Sequence, residues 1–171
     1  MSLAVSIATA TTVAVIAVMA GEAALSSYNA ALLRRRGAVE PADDVYATLR
    51  WAYPAAFLVM GVEGALVGPA PPALLGVGLA VFGAAKALKA WVIASLGSRW
   101  TFRVLVPPGD PLVTRGPYRL MRHPNYLAVC GEVVGVALTV GAPFTGVAAL
   151  AGIGWLLRQR IAAEDRALGR R

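Results

Sequence analysis

Residues 115–132, RGPYRLMRHPNYLAVCGE, bring three arginines, two tyrosines and the chain's sole histidine to the edge of an apolar run. A guanidinium is a flat fork of donors that pairs with carboxylates and phosphates. A helix N-terminus adds unpaired N–H groups and positive potential, which also favours anions. Pro124 suits a first helical turn, so Arg119, Arg122 and His123 are expected to stand at such a terminus. His123 either caps that helix or contacts a bound ligand. A lone histidine without other ligands makes no zinc site, and no metal centre is expected.

A second constellation, RQRIAAEDRAL, spans 158–168. Arg160 and Glu164 are four apart and share one helix face, with Asp165 beside them. On a surface, such a pair contributes little. The alternative follows from GAP at 141–143, which predicts a tight return between two apolar helices. Folded as a hairpin, they bring both constellations to one pocket. Its cationic part is Arg115, Arg119, Arg122 and Arg160, and its anionic part is Glu164 and Asp165. A zwitterion carrying a carboxylate and an ammonium group fits such a pocket.

Glu132 stands apart. At about 1.5 Å per helical residue it lies roughly 13 Å beyond His123, inside an apolar stretch. Intramembrane ionisable groups are costly and commonly functional. Glu132 is read as either a structural hydrogen-bond partner or a substrate contact. Glu22 and Glu63 are read as residues near a membrane interface. Cys130, the single cysteine, excludes an intrachain disulfide and reads as a small buried hydrophobe.

The elements that position these groups follow from composition. The chain has 171 residues, 58% of them hydrophobic and 15% charged, with a mean hydropathy of +0.65. Each of the stretches 3–33, 51–85 and 124–157 carries one charge, whereas a spanning helix needs about 20 mostly apolar residues. The sequence therefore predicts an all-α integral membrane protein of about five spans. They cover 3–25 (continuing along the interface to Leu33), 46–67, 73–96, 124–140 and 144–161. Gly37 ends the first helix, Pro41 or Asp43 starts the second, and GPAPP at 68–72 is a turn. The first span lacks a basic leader and a good cleavage site, so it reads as retained.

All 16 basic residues fall in 34–50, 86–122 and 158–171. That alternation predicts an outside N-terminus, a cytoplasmic C-terminus and a cytoplasmic 97–123 segment. Lys86 and Lys89 are expected to snorkel to the cytoplasmic edge. The net charge of +7 is thereby explained without nucleic acid, for which no aromatic-interleaved basic stripe exists. Segment 97–123 is too long for an idle connection. WTFRVLV alternates as an extended segment does.

GPYRLMRHPNY, followed by a helical hairpin and RIAAEDRAL, resembles the isoprenylcysteine carboxyl methyltransferase family, over about residues 78–168. One domain, 1–171, is expected, with N-terminal spans at 1–67 and a family-like core at 73–168. The resemblance implies an S-adenosylmethionine-dependent methyltransferase whose lipophilic acceptor enters from the bilayer. It implies a cofactor pocket of Gly116, Tyr118, Arg122, His123, Pro124, Tyr126, Leu127, Glu164 and Asp165. Asp165 stands where the family commonly has a second Glu. Arg160 would orient an anionic acceptor oxygen, and Glu132 would serve as general base for a neutral hydroxyl. The acceptor is prenylcysteine-like or, as in a bacterial branch this sequence is similar to, alkylpyrone-like. Membrane lipids are the surroundings, and a bacterial inner membrane with the site facing the cytoplasm is the expected location. The alternatives are phospholipid N-methylation and a non-catalytic small transporter or assembly protein.

Overall fold

The structure, a computed structural model, describes residues 2–41 and 44–169, and Asp43 lies outside the described residues. Five α-helices account for most of the chain: α1 Leu3–Arg35, α2 Tyr46–Val67, α3 Pro72–Leu96, α4 Pro124–Val140 and α5 Pro143–Ala167. No strand occurs among the described residues, which are joined by one antiparallel bridge, Val39 to Val106. Leu3–Arg35 and Pro72–Arg99 are long and apolar enough to cross a membrane, and Pro124–Val140 is a shorter apolar helix.

Local chemistry sets the boundaries. The Ser2 hydroxyl accepts the Val5 N–H at 3.4 Å and starts α1. Gly37, at φ 77°, follows its last turn. Pro72, Pro124 and Pro143 each occupy a first helical position, where a missing N–H costs nothing. Gly141 takes the left-handed conformation at φ 73°, and the Ala142 N–H returns to the Ala137 carbonyl at 2.9 Å. This turn lays α5 back along α4, giving the expected hairpin.

The most extensive packing lies elsewhere, between α3 and α4. Glycines let the two backbones touch. A Cβ on Gly135 would stand 2.6 Å from the Phe82 nitrogen, and one on Gly78 2.6 Å from the Thr139 hydroxyl. The buried core (Val15, Phe57, Met60, Val133, Val136, Leu157) joins α1, α2, α4 and α5 around that pair.

Segment 97–123 is ordered by α1. Asn29 Nδ2 donates to the Trp100 carbonyl at 2.8 Å, and the Ser26 hydroxyl accepts the Phe102 N–H at 2.7 Å. Trp100 is 2% exposed as a result. The extended reading of WTFRVLV reduces to the single bridge at Val106, because side chains of α1 take the backbone groups a strand partner would use. Two short 3-10 turns, Gly97–Arg99 and Gly116–Arg119, bracket the segment.

Candidate active site

The two constellations meet. His123 Nε2 lies 3.2 Å from Asp165, and its Nδ1 3.7 Å from Glu164. The Tyr126 hydroxyl donates to Glu164 at 2.5 Å and accepts from Arg160 Nε at 3.2 Å. The rings of His123 and Tyr126 stack at 5.6 Å. Pro124 starts α4 so that residues 123 and 126, one turn apart, face α5, where Arg160 and Glu164 share a face.

Arg160 is 6% exposed and works as a strut. Its Nη1 pairs with Asp44 at 3.3 Å and its Nη2 donates to the Phe102 carbonyl. One side chain therefore joins α5 to the start of α2, to the 97–123 segment and, through Tyr126, to α4. Asp44, which the sequence reading did not single out, carries this arrangement further by accepting the Val104 N–H at 3.2 Å.

Titration follows the contacts. The hydrogen bond to Glu164 raises the His123 pKa above 6.5 against the opposing effect of burial, and the charges of Glu164 and Asp165 add to it. Burial pushes the Glu164 carboxyl up, but hydrogen bonds from His123 and Tyr126 and the cations His123 and Arg160 bring it below 4.5. The two shifts agree, since each partner favours the charged form of the other.

A cavity of about 450 Å³ opens beside this cluster. Tyr118, Arg122, His123, Tyr126, Arg160 and Glu164 line its polar end together with Trp100, Phe102 and Tyr46. Between the helices the wall is mostly apolar, with Ile16, Met19 and Ala20 of α1, Leu49 of α2, Val129 of α4 and Leu157 of α5, beside Tyr53 of α2 and Lys89 of α3. The volume falls in the range of ordinary small-molecule sites, about 300–1,000 Å³.

Several expected site residues stand off this wall. Leu127 is 54% exposed and absent from the wall. Gly116 and Pro124 shape backbone: a Cβ on Gly116, at φ 61°, would collide with the Ser95 hydroxyl, and Pro124 is buried at the start of α4. Asp165 acts through His123. Arg115 donates to the Ser95 carbonyl at 3.0 Å, and Arg119 is exposed, so neither lines the cavity.

Glu132 is fully buried and also absent from the wall. It accepts from the Tyr53 hydroxyl at 2.6 Å and pairs with Lys89 at 2.5 Å and Lys86 at 3.2 Å. Glu22 completes the group, at 2.7 Å from Lys86 and 3.2 Å from Lys89. The lysines therefore do not snorkel outward: their three-residue spacing puts both on one face of α3, turned to carboxylates of α1 and α4. Glu22 likewise belongs to this interior quartet rather than to an interface. Lys89 of the quartet lines the cavity, as does Tyr53, the hydrogen-bond partner of Glu132. Glu63 accepts the N–H groups of Phe144 and Thr145 at 3.0 and 2.7 Å, capping α5 from α2.

Residues 76–170 match the isoprenylcysteine carboxyl methyltransferase (ICMT) family. The chain belongs to that family. The matched region holds α4, α5, the 97–123 segment and almost all of α3, hence every residue of the polar cluster except Asp44. The family is one of membrane-associated methyltransferases. Among relatives, the uncharacterized protein YpbQ of Bacillus subtilis is 33% identical over 150 residues, covering 87% of this chain and 89% of its own. An uncharacterized protein of Haemophilus influenzae is 30% identical over 93 residues, 54% of each chain. No solved structure matches.

Proposed function

We propose that this ICMT family member transfers a methyl group from S-adenosylmethionine to an oxygen of a small lipophilic acceptor that enters from the bilayer. The observation that carries the reading is the single cavity with a charged, aromatic end and an apolar end reaching between the helices. One chemistry is suited to each end.

The donor set fits the cofactor's character. Glu164 is a carboxylate for an ammonium group, Arg122 a cation for a carboxylate, and Tyr46, Trp100, Phe102 and Tyr118 offer apolar and aromatic surface for a nucleobase. Tyr118, Arg122, His123, Tyr126 and Glu164 would hold it, with Asp165 steadying His123. Bound there, it supplies an electrophilic methyl group on a sulfonium. The chain's own contribution is positioning, which alone can supply several kcal/mol toward an in-line displacement. Arg160, fixed on three sides, presents the remaining hydrogens of its η nitrogens to an acceptor oxygen. The apolar wall excludes water and strengthens those contacts.

Glu132 reaches the cavity only through Tyr53 and Lys89. Its part is to hold Tyr53 and Lys89 in the wall, and an acceptor hydroxyl would meet Tyr53 before it. The acceptor is prenylcysteine-like or alkylpyrone-like. In this reading the five helices cross a bacterial inner membrane, with the N-terminus outside and the cavity open to the cytoplasm. The three basic clusters then lie on one side, as the charge rule for cytoplasmic loops requires.

Calorimetric titration of S-adenosylmethionine into the purified protein in detergent tests the cofactor assignment. Saturable binding that weakens about 10- to 150-fold in Glu164→Gln is expected, the factor for losing a charged hydrogen bond of about 1.5–3 kcal/mol. No binding to the wild type would refute it.

A further inference from the structure

A second concavity, about 530 Å³, lies on the other side of the 97–115 strap. Arg36, Arg99 and Arg115 line it, with the hydroxyl residues Ser98 and Thr114. Leu112, 44% exposed, stands at its wall, and Leu96, Arg99, Leu112 and Val113 face both this pocket and the main cavity.

Its charges do not balance. Asp110 is the carboxylate paired with the arginines here, at 2.9 Å from Arg36 Nη2 and 3.3 Å from Arg99 Nε. Arg99 Nη1 donates to the Pro111 carbonyl at 2.7 Å, and Arg115 Nε to the Ser95 carbonyl. A guanidinium has five N–H donors on three nitrogens. Among the described residues these bonds leave Arg36 Nη1 and both η nitrogens of Arg115 to whatever enters the pocket. Three fixed cations against one carboxylate, two hydroxyls and an exposed leucine describe a receptor for a phosphate oxyanion with apolar surface beside it. The pocket also sits at the ends of two apolar helices, α1 and α3, where a bilayer would place its headgroups.

We propose that this pocket binds the phosphate of an anionic phospholipid headgroup, with Arg36 and Arg115 as its principal contacts. The assignment is independent of the methyl-transfer reading, since it uses none of the residues of the polar cluster.

Native mass spectrometry of the full chain in detergent, offered equimolar phosphatidylglycerol and phosphatidylcholine, tests it. The wild type is expected to retain phosphatidylglycerol in preference. The Arg36→Gln/Arg115→Gln variant should lose that preference by about 100-fold or more, two factors of about ten, each corresponding to the loss of a direct charged hydrogen bond of about 1.5 kcal/mol to the phosphate. An Arg35→Gln/Arg119→Gln variant removes the same charge outside the pocket and should retain the lipid as the wild type does, with helix content by circular dichroism checking that both variants fold. Displacement of the lipid by millimolar inorganic phosphate would show that the phosphate alone is read, and failure to displace it that the lipid is read as a whole. Equal retention of the two lipids by the wild type, or equal losses in the two variants, would overturn the proposal.

Discussion

Neutralising Glu132 should destabilise this protein far more than its distance from the polar cluster suggests. The side chain is fully buried, with ammonium groups at 2.5 and 3.2 Å and a tyrosine hydroxyl at 2.6 Å. Glu132→Gln preserves shape but leaves two lysines sharing Glu22, one of them, Lys89, only 3% exposed. Breaking one side of a buried ion pair typically costs about 3–5 kcal/mol, because the orphaned charge stays buried. Lys89→Met should cost a similar amount by leaving two carboxylates to share Lys86. The double variant returns the group to neutrality, one lysine against one glutamate. Its loss should fall short of the sum of the single losses by about 2 kcal/mol or more, within the range for residues in direct contact. Reversible unfolding in mixed micelles, followed by circular dichroism, measures all corners of the cycle. Additivity within about 0.5 kcal/mol would refute the quartet as a coupled unit.

Other outcomes follow from single contacts. The His123 pKa is raised, so the stability it contributes is complete below 6.5 and lost as pH rises through the raised value; the imidazole titration by NMR should move back toward 6.5 in Glu164→Gln, and an unchanged titration would contradict the pairing. Gly135→Ala should destabilise by about 1–3 kcal/mol through overpacking against Phe82, whereas Gly83→Ala, with nothing near the added carbon, should be neutral or stabilising in the same unfolding assay. Glu63→Ala should cost about 1 kcal/mol by uncapping α5, and Glu63→Gln, which can still accept, should cost less.

Helix positions were legible because prolines and glycines punctuate this chain. The expected 46–67 and 124–140 coincide with α2 and α4, and Pro72, Pro143 and Gly141 fix the other edges to within a residue. The first helix runs unbroken to Arg35, and α5 continues past 161 to Ala167, since polar residues beyond an apolar stretch still propagate a helix. The meeting of His123, Arg160 and Glu164 was also legible, from helical spacing plus a tight turn, and that of Tyr126 from the family resemblance. Interhelical partners of lone polar residues were not. Ser26, Asn29 and Tyr53 look like tolerated polar interruptions until the rotation of each helix is known, and Asp44 looks like part of a connector. A signal for the quartet did exist: two lysines at i and i+3 on an apolar helix, in a chain with isolated carboxylates on its other helices.

Transfer of labelled methyl groups from S-adenosylmethionine into the lipid extract of membranes containing this protein tests the central claim most directly. The account predicts label on an oxygen of a lipophilic product, as an ester or ether, dependent on Arg160 and Glu164. Label on a phospholipid nitrogen, or incorporation no greater than in membranes carrying Arg160→Ala, would contradict it.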